Sequence, residues 1–171
     1  MGTGKESEAA DMKNPTSAER TSDRELVVTR VFNGPVHIVF QAWTQPELLK
    51  QWWAPKSCGV YFVSCETDAR TGGKVRFVMG HPAAEQPMAF FGTYLEVIPN
   101  ARVVWTNEES ADGSVTTVTF AEEDGKTRVT VHDLYPSKEA LDAAIASGST
   151  EGFPEQFAQL DELLAAGGDS V

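Results

Sequence analysis

The chain has 171 residues, of which 41% are hydrophobic, and its formal net charge is -11. This length and apolar content suit one well-filled domain, while the acidic balance argues against binding to nucleic acids or anionic membranes, which need basic surface. No stretch approaches the roughly 20 apolar residues of a membrane span and the N-terminus has no apolar signal core, so we expect a cytoplasmic protein without membrane insertion.

The first 23 residues are rich in Gly, Ser, Thr, Glu and Lys and contain almost no large apolar side chain. Such a segment cannot bury enough surface to offset the entropy lost on ordering, and we predict a disordered tail over residues 1–23. From Glu25 the sequence changes to a run rich in β-branched residues that ends at the Asn-Gly pair 33–34, a turn signal. We predict the first strand here and a single domain over residues 24–167, with 168–171 frayed.

Residues 40–53, FQAWTQPELLKQWW, combine four large aromatic side chains with a definite break. The first two aromatic residues are three apart and share a helical face. Pro46 then ends that helix and starts a second one, because proline lacks a backbone donor but suits a first helical turn. Adjacent residues cannot share one helical face, so Trp52 and Trp53 should point in different directions, with one of them available to line something other than the main core.

The sequence after the tryptophan pair is typical of strands. Six segments rich in β-branched and aromatic residues alternate with turn residues at short intervals. This spacing favours an antiparallel meander over parallel strands separated by helices, and the first strand brings the count to seven. The six segments are residues 60–65, 74–79, 88–97, 102–106, 115–120 and 128–135.

Alternation within these segments predicts one apolar, aromatic face and one largely polar face. By parity, Tyr94 and His132 belong to the polar face. Such a sheet needs a cover, for which the C-terminal segment is the candidate. The residues that parity assigns to the buried face are Val75, Phe77, Met79, Phe91, Thr93, Leu95, Val97, Val103, Trp105, Val118, Phe120, Val129, Val131 and Asp133.

The C-terminal segment predicts two helices. Ser137 is a suitable N-cap for the first, which should continue to about residue 146 with Leu141 and Ile145 on one side. The second should cover about residues 150–166, beginning or kinking beside Pro154, which removes one backbone hydrogen bond. Its amphipathic pattern comes from Phe153, Phe157, Leu160 and Leu164.

The order of strand, two helices, six-stranded meander and C-terminal helix resembles the helix-grip fold of the START-like, or SRPBCC, superfamily. More specifically, the chain is similar to the family called activator of heat-shock-protein-90 ATPase homologue-like. The resemblance covers about residues 25–166 and implies an α+β fold in which a curved, seven-stranded antiparallel sheet wraps around a long C-terminal helix. The matching blocks are ELVVTRVFNGPVHIVFQAWTQPELLKQWW, DARTGGKVRFVM, FFGTYLEVIPNARVVWT, VTFAEEDGKTRVTV and GSTEGFPEQFAQLDELL.

In this superfamily the space between sheet and helix is a largely apolar cavity that binds lipids, sterols, polyketides or other hydrophobic small molecules. For each candidate residue the alternative is ordinary core packing. Family members commonly have tryptophan where this chain has Phe153, and Pro154 is unusual inside the helix, so the lid of the expected cavity differs here. The ligand-binding candidates that the resemblance implies are Trp53, at the rim, with Phe77, Met79, Phe91, Trp105, Phe120, Asp133, Phe153 and Phe157.

Metal and cofactor sites are not expected. Cys58 and Cys65 lie seven residues apart, outside the spacing of a metal-binding pair, so we expect reduced thiols. Of the acid–base candidates, His37 and His81 should be solvated and His132 should point outward. That leaves the inward carboxylate of Asp133 as a weak candidate for a general base.

Three functions remain open from the sequence. The leading hypothesis is binding of a hydrophobic small molecule of the lipid, polyketide or aromatic metabolite type. A cyclase- or hydrolase-type enzyme using the same cavity is an alternative, although the sequence contains no HExxH, P-loop, GxGxxG or GxSxG motif. The family resemblance also implies a protein-interaction module or co-chaperone-like regulator of a heat-shock-protein ATPase. In eukaryotic co-chaperones, however, this domain accompanies a separate N-terminal domain, which 23 mostly polar residues cannot replace.

Overall fold

The computed structural model describes residues 16–108, 113–147 and 153–167. These residues form one antiparallel sheet of eight strands, in the order β1-β2-β8-β7-β6-β5-β4-β3, and four α-helices. The strands are β1 (Ser17–Arg20), β2 (Glu25–Phe32), β3 (Tyr61–Thr67), β4 (Lys74–Gly80), β5 (Met88–Ile98), β6 (Arg102–Thr106), β7 (Val115–Glu123) and β8 (Lys126–Leu134). The helices are α1 (Val36–Thr44), α2 (Pro46–Trp52), α3 (Lys138–Ala146) and α4 (Phe153–Gly167), with a 3-10 turn at Lys56–Cys58.

The two short helices between β2 and β3 form where the sequence predicts them. α1 ends at Gln45, whose extended backbone, with φ -91° and ψ 126°, separates it from α2. Pro46 occupies the first turn of α2, where its missing N–H needs no partner. Trp43, Leu49 and Trp52 are buried, so both helices pack one apolar face into the core.

A row of four buried valines crosses the middle of the sheet. Val103 of β6 pairs with Val118 of β7, Val118 pairs with Val131 of β8, and Val131 pairs with Val28 of β2. All four lie on the face that the helices cover, as alternation predicts for Val103, Val118 and Val131. This row defines the inner face of the sheet.

The face predicted for most of β5 is wrong. Tyr94 is buried on the inner side, whereas Phe91 and Leu95 are 42% and 50% exposed. The pairing of β5 with β6 shifts by one residue between Tyr94 and Glu96, which is a β-bulge. Beyond the bulge Val97 does pack against the core. Because a bulge reverses parity, counting back from Val97 assigns the earlier residues to the wrong side.

Part of the segment predicted to be disordered forms a strand. β1 pairs with β2 in the register Ser17 to Thr29, although all four β1 residues are exposed. Backbone hydrogen bonds to the edge of β2 hold it, together with an ion pair of 2.7 Å between Arg20 and Asp142 of α3. The predictions of disorder at these positions and of seven strands are therefore wrong, because composition reports side-chain burial and not backbone pairing. Residues 1–15 lie outside the described residues.

The C-terminal helices cover the inner face. The hydroxyl of Ser137 accepts a hydrogen bond from the backbone N–H of Ala140 at 3.1 Å, which caps α3 as predicted. α4 begins at Phe153 with Pro154 in its first turn, where proline is tolerated. Phe157 is buried and packs edge-on against Phe32 of β2, with ring centroids 5.3 Å apart. Residues 150–152 and 168–171, which were predicted to begin α4 and to fray, lie outside the described residues.

These elements form the α+β helix-grip architecture, with eight strands in place of seven. Phe157, Leu160 and Leu164 of α4 are buried against the sheet, together with the apolar faces of α1 and α2. Among the described helices, none is both long and apolar enough to cross a bilayer.

Candidate functional site

A cavity of about 640 Å³ lies between the sheet and the two C-terminal helices. Strands β6, β7 and β8 contribute one side of it, and α3 and the start of α4 contribute the other. Trp53, in the turn that follows α2, borders it as well. The cavity therefore lies beside the core that packs under α4, in the part of the sheet that α3 faces.

The volume stays open because α3 faces it with small side chains. Ala140, Ala143, Ala144 and Ser147 line the cavity and follow the i, i+3, i+4, i+7 spacing of one helical face. We call these four residues the small-residue stripe. Leu141 lies on a neighbouring face of α3 and is fully buried in the core. α3 therefore packs on the structure through Leu141 without filling the space in front of the stripe.

Three tryptophans form an aromatic wall. Trp53 lies between the other two, with its ring centroid 5.9 Å from that of Trp43 and 6.3 Å from that of Trp105, in edge-to-face arrangements. All three line the cavity. Trp52, in contrast, is fully buried and donates its indole N–H to a backbone carbonyl of α1 at 2.9 Å. The adjacent tryptophans thus divide as expected, with Trp52 as an anchor and Trp53 at the cavity.

A row of hydrogen-bonding side chains runs along the sheet side of the cavity, two residues along each strand from the row of valines. Trp105, Thr116 and Asp133 are direct neighbours on β6, β7 and β8. The Trp105 indole donates to Asn107 Oδ1 at 3.2 Å, Asn107 Nδ2 donates to Thr116 Oγ1 at 3.0 Å, and Thr116 donates to Asp133 Oδ1 at 2.5 Å. We call these four residues the polar row.

Asp133 carries the unusual electrostatics of the site. Its side chain is inward and the residue is only 8% exposed, as its parity predicts. Burial raises the pKa of Asp133 to about 6, and the hydrogen bond from Thr116 and the charge of His132 oppose that rise. Burial, with a smaller contribution from Asp133, also raises the pKa of Tyr135, another lining residue, to about 12. Near neutral pH the site therefore combines a largely ionised carboxylate with a neutral phenol.

Two smaller cavities share residues with the main one. A cavity of about 210 Å³ is lined by Met79, Phe90 and His81 and shares Trp53 and Gln156 with the main cavity. A third, of about 90 Å³, also has Trp53 in its lining. Trp53 thus borders all three spaces.

Residues 53–57, which we call the tryptophan turn, are held by three side chains of α4. Gln159 is buried, accepts a hydrogen bond from Lys56 N, and donates to the carbonyls of Trp52 and Ala54, each at 2.9 Å. Gln156 donates to the Trp53 carbonyl at 2.5 Å. The carboxylate of Glu155 accepts from the backbone N–H of Ser57 at 2.8 Å and from its hydroxyl. We call this set the α4 clamp, and it links the helix directly to the cavity border.

Four of the residues predicted to bind a ligand meet at the main cavity. Trp53, Trp105, Asp133 and Phe153 all line it. Phe153 lies in the first turn of α4. The predicted set thus includes one lining residue each from β6, β8, the turn after α2 and the start of α4.

The other five candidates lie elsewhere. Met79 lines the cavity of about 210 Å³, and Phe77 and Phe91 line that of about 90 Å³, with Phe91 turned to the outer side by the bulge in β5. Phe120 and Phe157 are buried in the core, 6% and 1% exposed. Both pack edge-on against an indole of α1, with centroids 6.3 and 6.0 Å apart.

Sequence reasoning did not single out Thr116, Asn107 or the small-residue stripe. Thr116 shares the parity of Val118 and Phe120, so alternation could have placed its hydroxyl inward. The stripe has a helical period that a search for small residues would have detected. Asn107 follows the end of β6, and no pattern in the sequence indicates that its amide turns toward the cavity.

Comparison with known proteins agrees with this architecture. The family profile described as "Activator of Hsp90 ATPase homolog 1-like protein" matches residues 33–165. A solved structure from Mycobacterium smegmatis is 30% identical, with 89% of this chain and 99% of that chain covered and a TM-score of 0.73. One from Nitrosomonas europaea is 26% identical, with 86% and 97% covered and a TM-score of 0.77. No curated protein matches the chain.

A further structure, from Rhodobacter sphaeroides, shares the fold with a TM-score of 0.81 at 24% identity, over 89% of this chain and 99% of that chain. The matched profile extends from the end of β2 into α4, and therefore includes the tryptophan turn, the meander and the α4 clamp. Most of the chain is covered by one profile, and the architecture agrees with solved structures over nearly their full length. The chain belongs to the Activator of Hsp90 ATPase homolog 1-like family.

Proposed function

We propose that this protein binds a hydrophobic small molecule, of the lipid, polyketide or aromatic metabolite type, in the cavity of about 640 Å³ between the sheet and the C-terminal helices. The observation that carries the proposal is an aromatic wall opposite a helix that presents only small side chains. Ligand sites are typically clefts of roughly 300–1,000 Å³ with apolar walls and a few convergent polar groups, and the polar row supplies such groups here.

This space is a cleft that is partly open to solvent, because its lining residues Ala143 and Ser147 are exposed. Protein interiors, in contrast, are close-packed, and voids larger than a water molecule are few. The core of this protein follows that rule under α4, where Phe157 and Leu160 are fully buried. Of the three cavities described above, the largest lies at the small-residue stripe, which supports a function for it at that place.

A pair of alanine substitutions tests the proposal. Ala143→Phe places a large ring on the face of α3 that lines the cavity, whereas Ala146→Phe makes the same change at another exposed position of the same helix, which does not line it. Binding of the neutral fluorescent dye N-phenylnaphthylamine should weaken at least about ten-fold in Ala143→Phe and stay unchanged in Ala146→Phe.

The outcomes separate binding from the other functions open for this family. Absence of dye binding to the wild type, or equal dye affinity in the two variants, would refute binding in this cavity. A co-chaperone-like function depends on the protein surface, so it predicts that Ala143→Phe retains full activity on a partner. Catalysis in the same cavity predicts chemical conversion of the bound molecule, which mass spectrometry of the recovered ligand detects.

A further inference from the structure

We propose that the ligand of this cavity is an organic cation, a hydrophobic molecule whose amine or ammonium group lies against the carboxylate of Asp133. The inference rests on the proposed function, because it names the class of molecule that the same cavity takes. Three observations carry it: the direction of the hydrogen bonds that reach Asp133, the charges around it, and the aromatic side chains that share its cavity.

The hydrogen bonds in the polar row make Asp133 an acceptor. An indole N–H can only donate, so the atom of Asn107 that faces Trp105 at 3.2 Å is the amide oxygen. The amide nitrogen of Asn107 therefore faces Thr116, whose hydroxyl accepts that bond at 3.0 Å and gives its own proton to Asp133. Donors thus point along the row toward the carboxylate, and this favours its ionised form.

The side chains packed around Asp133 do not neutralise that charge. Its neighbours on the adjacent strands are Thr116 and Leu26, α3 presents the small-residue stripe, and α4 presents Phe153 and Gln156. Among the described residues that line the cavity, none is Lys, Arg or His. A buried carboxylate without a positive partner is costly, so a cation in the cavity would stabilise the complex.

The nearest basic residue in sequence belongs to the other face of the sheet. His132 Nε2 lies 2.7 Å from the carboxylate of Glu25, and its charge reaches Asp133 only through space. Asp133 is the one acidic residue among the described residues that line the cavity.

The aromatic side chains suit a cation better than a neutral hydrophobe. Trp43, Trp53, Trp105, Tyr135 and Phe153 line the same cavity as Asp133. The faces of aromatic rings are electrostatically negative, and clusters of them bind alkylammonium groups. Aliphatic side chains would serve a neutral hydrocarbon equally well. The net charge of -11 also attracts cations to the protein and repels anionic ligands such as fatty acids.

A pair of isosteric probes tests the inference. Biphenylmethyl-trimethylammonium and neopentylbiphenyl have the same shape and differ by a charged nitrogen in place of a carbon. Each is titrated against the full chain in competition with N-phenylnaphthylamine. The ammonium probe should bind at least about ten-fold more tightly than the neutral one, and Asp133→Asn should remove that preference while leaving the neutral probe unaffected. Asp124→Asn, which removes the same charge in the exposed turn between β7 and β8, should change neither affinity.

A pH series on the wild type gives a second readout that needs no variant. The ammonium probe keeps its charge at every pH, so any change reports on the protein. Because the pKa of Asp133 is about 6, affinity for the ammonium probe should fall about ten-fold between about pH 7.5 and about pH 5, while affinity for the neutral probe stays constant.

The outcomes distinguish failure of this inference from failure of the proposed function. Equal affinity for the two probes, tighter binding of the neutral probe, or binding of the dye alone overturns the cation and leaves a ligand-binding cavity. An ammonium preference that survives Asp133→Asn, or that does not change with pH, overturns the assignment to Asp133. If the dye does not bind to the wild type, the proposed function fails and the inference fails with it.

Discussion

Replacing Asp133 by asparagine measures how much stability the buried carboxylate costs the free protein. The asparagine side chain has nearly the same shape, and its amide oxygen can still accept the hydrogen bond of 2.5 Å from Thr116. The substitution therefore removes the charge with little change in packing. Asp124→Asn removes the same charge from an exposed turn and serves as the matched control.

The expected effect follows from the shift in pKa. Burial raises the pKa of Asp133 from its ordinary value of 3.8 to about 6. Between these two values the folded protein retains a proton that the unfolded chain has released, so this group makes the native state less stable as the pH rises through that interval. A shift of two units corresponds to about 3 kcal/mol in the free energy of unfolding. The stability of Asp133→Asn relative to the wild type should therefore increase by about 2.5 kcal/mol from about pH 4 to about pH 7.5, because pH 4 already lies just above the lower of the two pKa values.

Urea unfolding, followed by tryptophan fluorescence at a series of pH values, gives the two free energies. The difference between Asp133→Asn and the wild type should rise with pH and level off above the pKa of Asp133. The difference for Asp124→Asn should stay flat. A pH-independent difference for Asp133→Asn, or one that falls as pH rises, would contradict the view that the carboxylate is buried at a cost in the free protein.

Two other predictions concern the tryptophan turn and the thiols. Gln159→Leu leaves three backbone groups in or next to the turn without their partner and should lower the free energy of unfolding by about 2–4 kcal/mol, whereas Gln51→Leu, which removes one exposed hydrogen bond, should cost less than about 0.5 kcal/mol. Equal urea midpoints would contradict the α4 clamp. Cys58 is exposed, but burial raises the pKa of Cys65 to about 11, so Cys58 should react with Ellman's reagent at least about ten-fold faster. Equal rates would contradict this difference in environment.

Most of the fold could be predicted from the sequence because local patterns and tertiary structure agree over most of the chain. Pro46 ends one helix and starts another, Ser137 caps α3, and alternation assigns the valines of the central row to the inner face. The misses have a common physical origin. β1 depends on backbone hydrogen bonds to a strand edge, and the face of Phe91 depends on a bulge; neither leaves a trace in side-chain hydrophobicity.

The candidate site was less predictable because it depends on contacts between distant segments. Parity was sufficient to place Asp133 inward. The hydrogen bonds of Asn107 and Thr116 require the register of three strands, which a single sequence does not specify. Gln159 reads as a solvated helix residue until the tryptophan turn is packed against α4, where its amide meets three backbone groups.

Two departures from good packing coincide in this molecule, and their coincidence supports a ligand more strongly than either alone. The small-residue stripe of α3 leaves a volume unfilled, which forfeits dispersion contacts. On the other side of the same volume, the polar row holds Asp133 in an environment that disfavours its charge. A larger residue on α3 would fill the volume, and a threonine in place of Asp133 would remove the buried charge. Neither change would disturb the buried valines of the central row. A molecule that fills the volume and carries a positive charge offsets both costs together, so the free protein is destabilised at the place where binding restores stability.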